Sequence, residues 1–212
     1  MRHVGLFGGS FDPVHVGHLR AALEVVEQLG LDELRFIPCA HSPGKPPPRA
    51  SGSLRRQWLE LAISDRPGWV MDGRELERDG VSYTVETLEE IRQEEPESRP
   101  YWIIGSDAFS NLHRWREPDR LGQLAHWIVL LRPGFPVVLP AEAPRWCSSG
   151  RTDDPARLRQ DPAGGVLYLP VTPFGISATA IRDRIRRGAA LDYLVPASLQ
   201  AALERAGCYD AP

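Results

Sequence analysis

The first eighteen residues constrain the fold more than any other part of the chain, because they combine an apolar strand, a glycine-rich turn and a helix start. Residues 5–18 read GLFGGSFDPVHVGH, so the helix start carries His15 and His18. Backbone N–H groups of the turn, the helix N-terminus and two imidazoles are thereby directed into one small volume. A volume with these groups suits a triphosphate.

The spacing within this segment excludes two common phosphate loops. The segment contains no G-x-x-x-x-G-K-[ST], so it is not a Walker A loop. Gly5, Gly8 and Gly9 do not form G-x-G-x-x-G, and no acidic residue follows the second strand where a dinucleotide fold requires one. The phosphate site predicted here is therefore of another kind.

Length, charge and cysteine usage set the class of protein. A chain of 212 residues can form one α/β domain with an ample core, and we predict a single domain over residues 1–212. The net charge of −3 and the interspersed charges give no basic stripe for nucleic acid. The three scattered cysteines form no C-x-x-C, which favours reduced thiols in the cytoplasm. The longest apolar run, Trp127–Leu131, is too short to span a membrane.

Strands and helices alternate along the chain. The predicted strands are His3–Phe7, Leu34–Pro38, Trp69–Met71, Tyr101–Ile104, Trp127–Leu131 and Val166–Leu169. The predicted helices cover residues 19–29, 54–63, 84–93, 177–187 and 196–206. This order predicts a doubly wound, mainly parallel sheet with helices on both faces.

Three other segments are predicted from their composition. Residues 74–80 are charged and favour a turn or hairpin, whereas residues 133–165 favour an irregular insertion because proline, glycine and polar residues dominate them. A helical part closes the chain at about 177–212.

Ligands of doubly wound sheets bind at the carboxyl ends of the strands, where the strand order reverses. Three segments are predicted to meet there: the turn with the two histidines, Gly105-Ser106-Asp107, and residues 176–182, which read ISATAIR. Ser177 and Thr179 can cap a helix that attracts anions, and Arg182 can form a forked contact with phosphate. The alternative for this last segment is an ordinary N-cap beside a surface arginine.

The motif in residues 9–18 resembles G-x-F-D-P-x-H-x-G-H, the signature of the nucleotidyltransferase superfamily. Residues 176–182 resemble the I-S-x-T-x-I-R element of the bacterial nicotinate-mononucleotide adenylyltransferases. Further segments are similar to the same family: Ile37-Pro38, Pro43, Lys45, residues 59–62, residues 82–84, residues 104–107, Trp115 and the Arg132-Pro133-Gly134 turn. The alternative to a phosphate site is that the two histidines only cap and pack.

This resemblance implies an activity, namely transfer of AMP from ATP to nicotinate mononucleotide, with deamido-NAD and pyrophosphate as products of this step of NAD biosynthesis. The attacking phosphate is already anionic, so no general base is required. The resemblance implies His15 and His18 as catalytic residues. It implies ATP contacts from Gly8, Gly9, Ser10, Phe11, His15, His18, Gly105, Asp107, Ile176, Ser177, Thr179 and Arg182.

Mg²⁺ is expected as the cofactor, bridging the phosphates largely through water. A zinc site at His15 and His18 is the weaker alternative, because no third ligand beyond Asp12 has suitable spacing. We therefore predict no metal held by the protein alone.

The same resemblance implies an acceptor site formed by Lys45, Tyr83, Thr84, Trp115 and Arg132. Trp115 is expected to stack on the pyridine ring, with a core tryptophan as the alternative; for Asp107 and Lys45 the alternatives are a helix N-cap and a solvated loop residue. One departure stands out, because the family loop reads P-P-H-K whereas this chain has Ser42-Pro43-Gly44-Lys45. The role of the family histidine is then missing or taken by His41.

Two further functions stay open at this point. The acceptor can be nicotinamide mononucleotide or another phosphorylated compound, or the chain can be a nucleotide-binding regulator without turnover. The sequence also leaves open whether the chain forms a homo-oligomer.

Overall fold

Seven parallel strands form one sheet in the computed structural model, which describes residues 1–131, 134 and 136–209. In chain order the strands are β1 (Arg2–Gly9), β2 (Glu33–Pro38), β3 (Trp69–Met71), β4 (Ser98–Gly105), β5 (His126–Leu131), β6 (Arg151–Thr152) and β7 (Val166–Pro170). They lie in the order β3-β2-β1-β4-β5-β7-β6, and every neighbouring pair is parallel. The order reverses between β1 and β4, where a ligand crevice is expected.

Nine α-helices and two short 3₁₀ helices, Leu112–Arg114 and Pro155–Arg159, connect the strands within the described ranges. The α-helices are α1 (Val16–Leu29), α2 (Gly52–Ile63), α3 (Arg74–Glu77), α4 (Thr84–Glu94), α5 (Ser106–Ser110), α6 (Pro118–Leu124), α7 (Trp146–Ser149), α8 (Ala178–Arg186) and α9 (Ala197–Ala206). Helix α1 ends at Gly30, whose φ of +58° lets its N–H reach the carbonyl of Val26 at 2.9 Å.

Alternating side chains of the sheet fill two separate cores. Phe7 and Ile103 lie in one core together with buried residues of α1, α2 and α9. Leu6 and Trp102, one position earlier on the same strands, lie in the other core with buried residues of α4, α5 and α6. Helices therefore cover both faces, and the predicted doubly wound sheet is confirmed.

The predicted strands and longer helices are present, with ends that differ by up to three residues. Residues 74–80 differ from the prediction in their secondary structure, because Arg74–Glu77 form helix α3 rather than a turn or hairpin. The carboxylate of Glu75 is buried there and accepts a hydrogen bond from Thr87 Oγ1 at 2.7 Å. This contact with α4 stabilises a helix that the charged local sequence does not indicate. The short helices α5 and α6 were not predicted.

The segment at about 133–165 also differs from its prediction as an irregular insertion. Its described residues include α7, one 3₁₀ helix and strand β6, which extends the sheet by pairing Arg151 with Val166. Cys147 and Leu158 are buried in the two cores. Two buried apolar residues spaced among prolines and glycines do not give a periodic signal, so the sequence does not indicate that this segment contributes to the core.

The C-terminal part folds back onto the site end of the sheet. Helices α8 and α9 are present as predicted, and α9 ends at Gly207, which has a φ of +61°. After this turn Tyr209 enters the core and is 1% exposed. No helix in the described part of the chain is long and apolar enough to cross a membrane.

Candidate active site

The glycine-rich turn begins at the carboxyl end of β1, beside the point where the strand order reverses. A Cβ atom on Gly8 would lie 2.6 Å from Cζ2 of Trp102, and one on Gly9 would lie 3.1 Å from Cζ of Phe11. Phe11 itself has a φ of +46°, in the left-handed region. Ser10 is exposed between them. At Gly8 and Gly9 the turn thus presents backbone to the crevice, and Ser10 adds an exposed side chain.

The two histidines lie together at the N-terminus of α1. His15 is the N-cap residue, and its backbone N–H donates to Nδ1 of His18 at 3.3 Å. The two rings stack with centroids 3.6 Å apart, and Phe11 contacts the His18 ring edge-on at 5.2 Å. Because Nδ1 of His18 accepts a hydrogen bond, Nε2 carries the proton of the neutral ring. The helix N-terminus and this N–H are suited to an anion.

A second helix N-terminus lies against the same turn. Ser177 is the N-cap of α8, and its Oγ accepts the N–H of the third helical residue at 3.2 Å. Arg182 donates from Nη1 to the carbonyl of Asp12 at 2.6 Å and from Nη2 to Thr179 Oγ1 at 3.0 Å. Ile176 anchors the start of this segment by packing against the core. The structure thus places the ISATAIR segment beside the histidine motif.

The third predicted segment lies at the end of the neighbouring strand. Gly105 ends β4 and is the N-cap of α5, while β4 is paired with β1 through contacts such as Phe7 with Ile103. Asp107 is exposed in the first turn of α5, so it is not the N-cap that the alternative prediction assigned to it. Ser106 is buried between them. The carboxylate of Asp107 therefore faces solvent at the carboxyl edge of the sheet.

The residues predicted for the acceptor side partly come together. Tyr83 is the N-cap residue of α4, and the guanidinium of Arg116 lies over its ring at 4.7 Å. Trp115, next to this arginine, is half-buried and contacts Trp127 edge-on at 6.2 Å. Thr84 opens α4 and is half-buried. The Tyr83 ring thus contacts the segment that carries Trp115 through Arg116. Trp115 itself packs partly against the core.

The loop after β2 approaches the same helix. The N–H of Ala40 donates to Ser82 Oγ at 3.0 Å, and the N–H of Ser82 donates to the carbonyl of His41 at 2.9 Å. These bonds bring the loop to the start of α4. Lys45 is exposed farther along this loop. Arg132, also predicted for the acceptor, lies outside the described residues.

A buried arginine fixes the turn and this loop to each other. Arg55 of α2 is 2% exposed, and its Nη1 donates to the carbonyls of Ser10 at 2.8 Å and Cys39 at 2.7 Å. Its Nε donates to the carbonyl of Ala50 at 3.2 Å. Burial lowers the pKa of Arg55, and it forms no ion pair within the described residues. The guanidinium therefore serves to hold three backbone segments of the site.

Comparison with known proteins agrees with this geometry. A family model described as cytidylyltransferase-like matches residues 6–184. A protein of Methylococcus capsulatus named probable nicotinate-nucleotide adenylyltransferase is 42% identical over 207 residues, which are 97% of this chain and 99% of that protein. The chain belongs to the nicotinate-nucleotide adenylyltransferase family. A relative of the same name from Halorhodospira halophila is 41% identical and covers 100% of this chain and 97% of its own.

Solved structures share the fold of this adenylyltransferase family member. The Plasmodium falciparum nicotinic acid mononucleotide adenylyltransferase complexed with NaAD superimposes with a TM-score of 0.73 over 99% of this chain and 98% of that one. The same enzyme complexed with APC gives a TM-score of 0.71 with the same coverage. Sequence identity to both is 15%, so these likenesses concern the fold.

The departure from the adenylyltransferase family loop has a local conformational basis. Gly44 has a φ of +67°, a region that glycine enters without strain, and no atom lies within 4 Å of where its Cβ would be. The backbone conformation thus favours glycine at this position, whereas packing does not require it. His41, the predicted substitute for the family histidine, is half-buried and is held through its carbonyl.

Two residues of this site, Arg55 and Tyr209, were not predicted from the sequence. Asp12 was visible in the motif, but its hydrogen-bond partners were not. Arg55 lies 45 residues from Ser10, and Tyr209 lies 197 residues from its partner Asp12. A buried arginine in an amphipathic helix has no sequence signal apart from interrupting the apolar face.

The donor set of the site is compatible with Mg²⁺ bound together with ATP. Mg²⁺ prefers oxygen donors and retains several waters, and the exposed carboxylate of Asp107 can accept hydrogen bonds from metal-bound water. Among residues 1–131, 134 and 136–209, no group of three or more His, Cys, Asp or Glu side chains is arranged to hold a metal ion.

Proposed function

We propose that this chain transfers the adenylyl group of ATP to nicotinate mononucleotide. A phosphate oxygen of the mononucleotide attacks the α-phosphorus of ATP, and the bond from that phosphorus to the oxygen bridging to the β-phosphorus breaks. The products are deamido-NAD and pyrophosphate. The nucleophile is anionic at neutral pH, so the protein has to align two anions and disperse charge rather than remove a proton.

One observation carries the proposal: two helix N-termini meet at the glycine-rich turn, and Arg182 bonded to Asp12 joins them. Both helix ends favour negative charge. His15 and His18 on α1 would contact the α-phosphate and the departing oxygen, with the Nε2–H of His18 as a donor. Ser177, Thr179 and Arg182 on α8 would hold the outer phosphates. Donors fixed before the reaction stabilise developing charge without reorganisation.

Mg²⁺, when bound with ATP, would be held through water by the carboxylate of Asp107 and would supply positive charge that offsets part of the phosphate charge. Gly8, Gly9, Ser10 and Phe11 would present the turn's backbone to the nucleotide. Gly105 and Asp107 would lie beside it at the end of β4.

On the acceptor side, Trp115 would stack on the pyridine ring. Tyr83 and Thr84 would contact the nicotinate end, and Lys45 would reach the mononucleotide phosphate from its exposed loop. Arg132 stays a prediction for the same site. The reaction is proposed to take place in the cytoplasm, where reduced thiols such as those of this chain persist.

The test is pyrophosphate release with ATP and Mg²⁺, comparing nicotinate mononucleotide with nicotinamide mononucleotide. A strong preference for the acid supports the proposal, whereas equal use of both makes the chain a dual-specificity enzyme. Release with neither substrate, with intact ATP binding, favours the alternative of a nucleotide-binding regulator. A variant with His15 and His18 both replaced by alanine is the control, because contaminating activity would survive it.

A further inference from the structure

Tyr209 connects the end of the chain to the phosphate motif at its beginning. Its side chain is buried, and its hydroxyl donates to Oδ1 of Asp12 at 2.6 Å. Its ring lies 5.7 Å from that of Trp58 on α2. A hydrogen bond to a carboxylate is stronger than one between neutral groups. The contact is thus a specific polar bond within an otherwise apolar cluster.

Asp12 is the point at which several parts of the site converge. Its carboxylate accepts the backbone N–H of Arg49 at 2.9 Å and that of Ala50 at 3.1 Å. Nη1 of Arg182 lies 3.8 Å from Oδ2 of the carboxylate and donates to the Asp12 carbonyl. With the bond from Tyr209, this places the carboxylate between the loop before α2, helix α8 and the end of the chain.

The hydroxyl of Tyr209 stays protonated under ordinary conditions. Burial and the neighbouring Asp12 carboxylate raise the pKa of Tyr209. A protonated hydroxyl donates its hydrogen to the carboxylate, and this bond constrains the rotamer of Asp12.

We propose that Tyr209 is a positioning residue for ATP, acting through the Asp12 carboxylate on Arg182. The inference rests on the proposed function, because it assigns Arg182 to the outer phosphates. Without the hydroxyl, the carboxylate keeps its two backbone N–H donors but loses the third donor that fixes its orientation. The ion pair of Arg182 with this carboxylate is then less well oriented, although its hydrogen bond to the Asp12 carbonyl remains. ATP binding therefore weakens.

The chain offers a matched pair of variants. Tyr209→Phe removes the hydroxyl and keeps the ring against Trp58. Trp58→Phe alters the same ring contact and leaves the bond to Asp12 intact. The indole N–H of Trp58 has no hydrogen-bond partner in the described structure, so this control removes no polar bond.

The decisive measurement is the dissociation constant of ATP with Mg²⁺ in the absence of any acceptor, beside the Tm of each variant. We expect Tyr209→Phe to weaken ATP binding about tenfold, which corresponds to about 1.4 kcal/mol. Trp58→Phe should stay within about twofold of the wild type although it lowers the Tm. ATP binding by Tyr209→Phe within twofold of the wild type overturns the proposal, and so do equal losses in both variants.

A double variant tests whether the effect passes through Arg182. In an Arg182→Ala background, adding Tyr209→Phe should change the ATP dissociation constant by less than about twofold. A full tenfold loss in that background would show that Tyr209 acts by another route. Because no acceptor is present, these results do not depend on which mononucleotide the chain uses. Wild-type protein that binds ATP but does not release pyrophosphate would refute only the proposed reaction.

Discussion

Replacement of Arg55 by methionine tests how the site is held together. Arg55 is 2% exposed and donates to the carbonyls of Ser10, Cys39 and Ala50 at 2.7 to 3.2 Å. Methionine fills most of the volume but leaves these carbonyls without their donor. The carbonyls of Cys39 and Ala50 are buried, whereas Ser10 is exposed and its carbonyl can turn to water. An unsatisfied buried acceptor costs at least about 1 kcal/mol, so the two give about 2 kcal/mol.

This estimate already allows for the removal of a buried charge. Burial of the guanidinium without a carboxylate partner has its own cost, which the substitution relieves, so we use the lower end of the range for each carbonyl. For a domain of this size, about 2 kcal/mol corresponds to a Tm lower by about 4–8 °C. The carbonyl of Ser10 also loses its anchor, so kcat/KM for ATP should fall by about tenfold or more, since small displacements in an active site are costly.

The neighbouring residue provides the control. Arg56 on the same helix is 43% exposed and pairs with Glu77 at 3.0 Å and Glu60 at 3.4 Å. Exposed ion pairs contribute less than about 1 kcal/mol, so Arg56→Met should lower the Tm by no more than a few degrees. Urea denaturation and pyrophosphate release measure both effects. An Arg55→Met protein as stable as Arg56→Met would refute the assignment of Arg55 as the residue that joins the three segments.

Three other predictions follow from single side chains. His18→Ala should lower kcat about a hundredfold with little change in Tm, and near-normal turnover would contradict its assigned role. Burial lowers the pKa of His126 to about 4 from 6.5, so only the unfolded chain binds this proton between those values. Unfolding free energy should therefore fall by about 3 kcal/mol as the pH drops from 6.5 to 4, and His126→Asn should remove most of this slope in urea titrations at successive pH values. Trp115→Leu should raise KM for the mononucleotide about tenfold and leave KM for ATP unchanged, whereas a purely structural tryptophan would alter both or neither.

The sheet could be predicted because its signals are local. Each buried strand is a short apolar run, and each long helix has an apolar face and a recognisable end, such as Gly30 after α1. Helix α3 could not be predicted, because its stability depends on the buried contact of Glu75 with Thr87 on another helix. Strand β6 has only two residues and exists through its pairing with β7.

In the candidate site, too, local motifs could be predicted from the sequence, whereas contacts between distant elements could not. His15, His18, Ser177 and Arg182 belong to motifs of consecutive residues, so their types and spacing are visible in the sequence. Their meeting also follows from topology, because the carboxyl ends of parallel strands share one edge of the sheet. What the sequence does not contain is the set of contacts that orients them, above all the bond between Arg182 and the Asp12 carbonyl.

The motif at the start of the chain does not hold its own conformation. Phe11 lies in the left-handed region, and the carboxylate of Asp12 is buried directly after it. Both features cost free energy locally and need compensation from elsewhere. The compensating groups come from three distant elements: Arg55 of α2, Arg182 of α8 and Tyr209 after α9. Arg55 holds the Ser10 carbonyl independently of the other two groups, whereas Arg182 and Tyr209 are coupled because both contact Asp12. Single variants should therefore weaken ATP binding by graded amounts, whereas unfolding of the C-terminal helices would remove two of the three supports at once and should abolish ATP binding before the sheet itself unfolds.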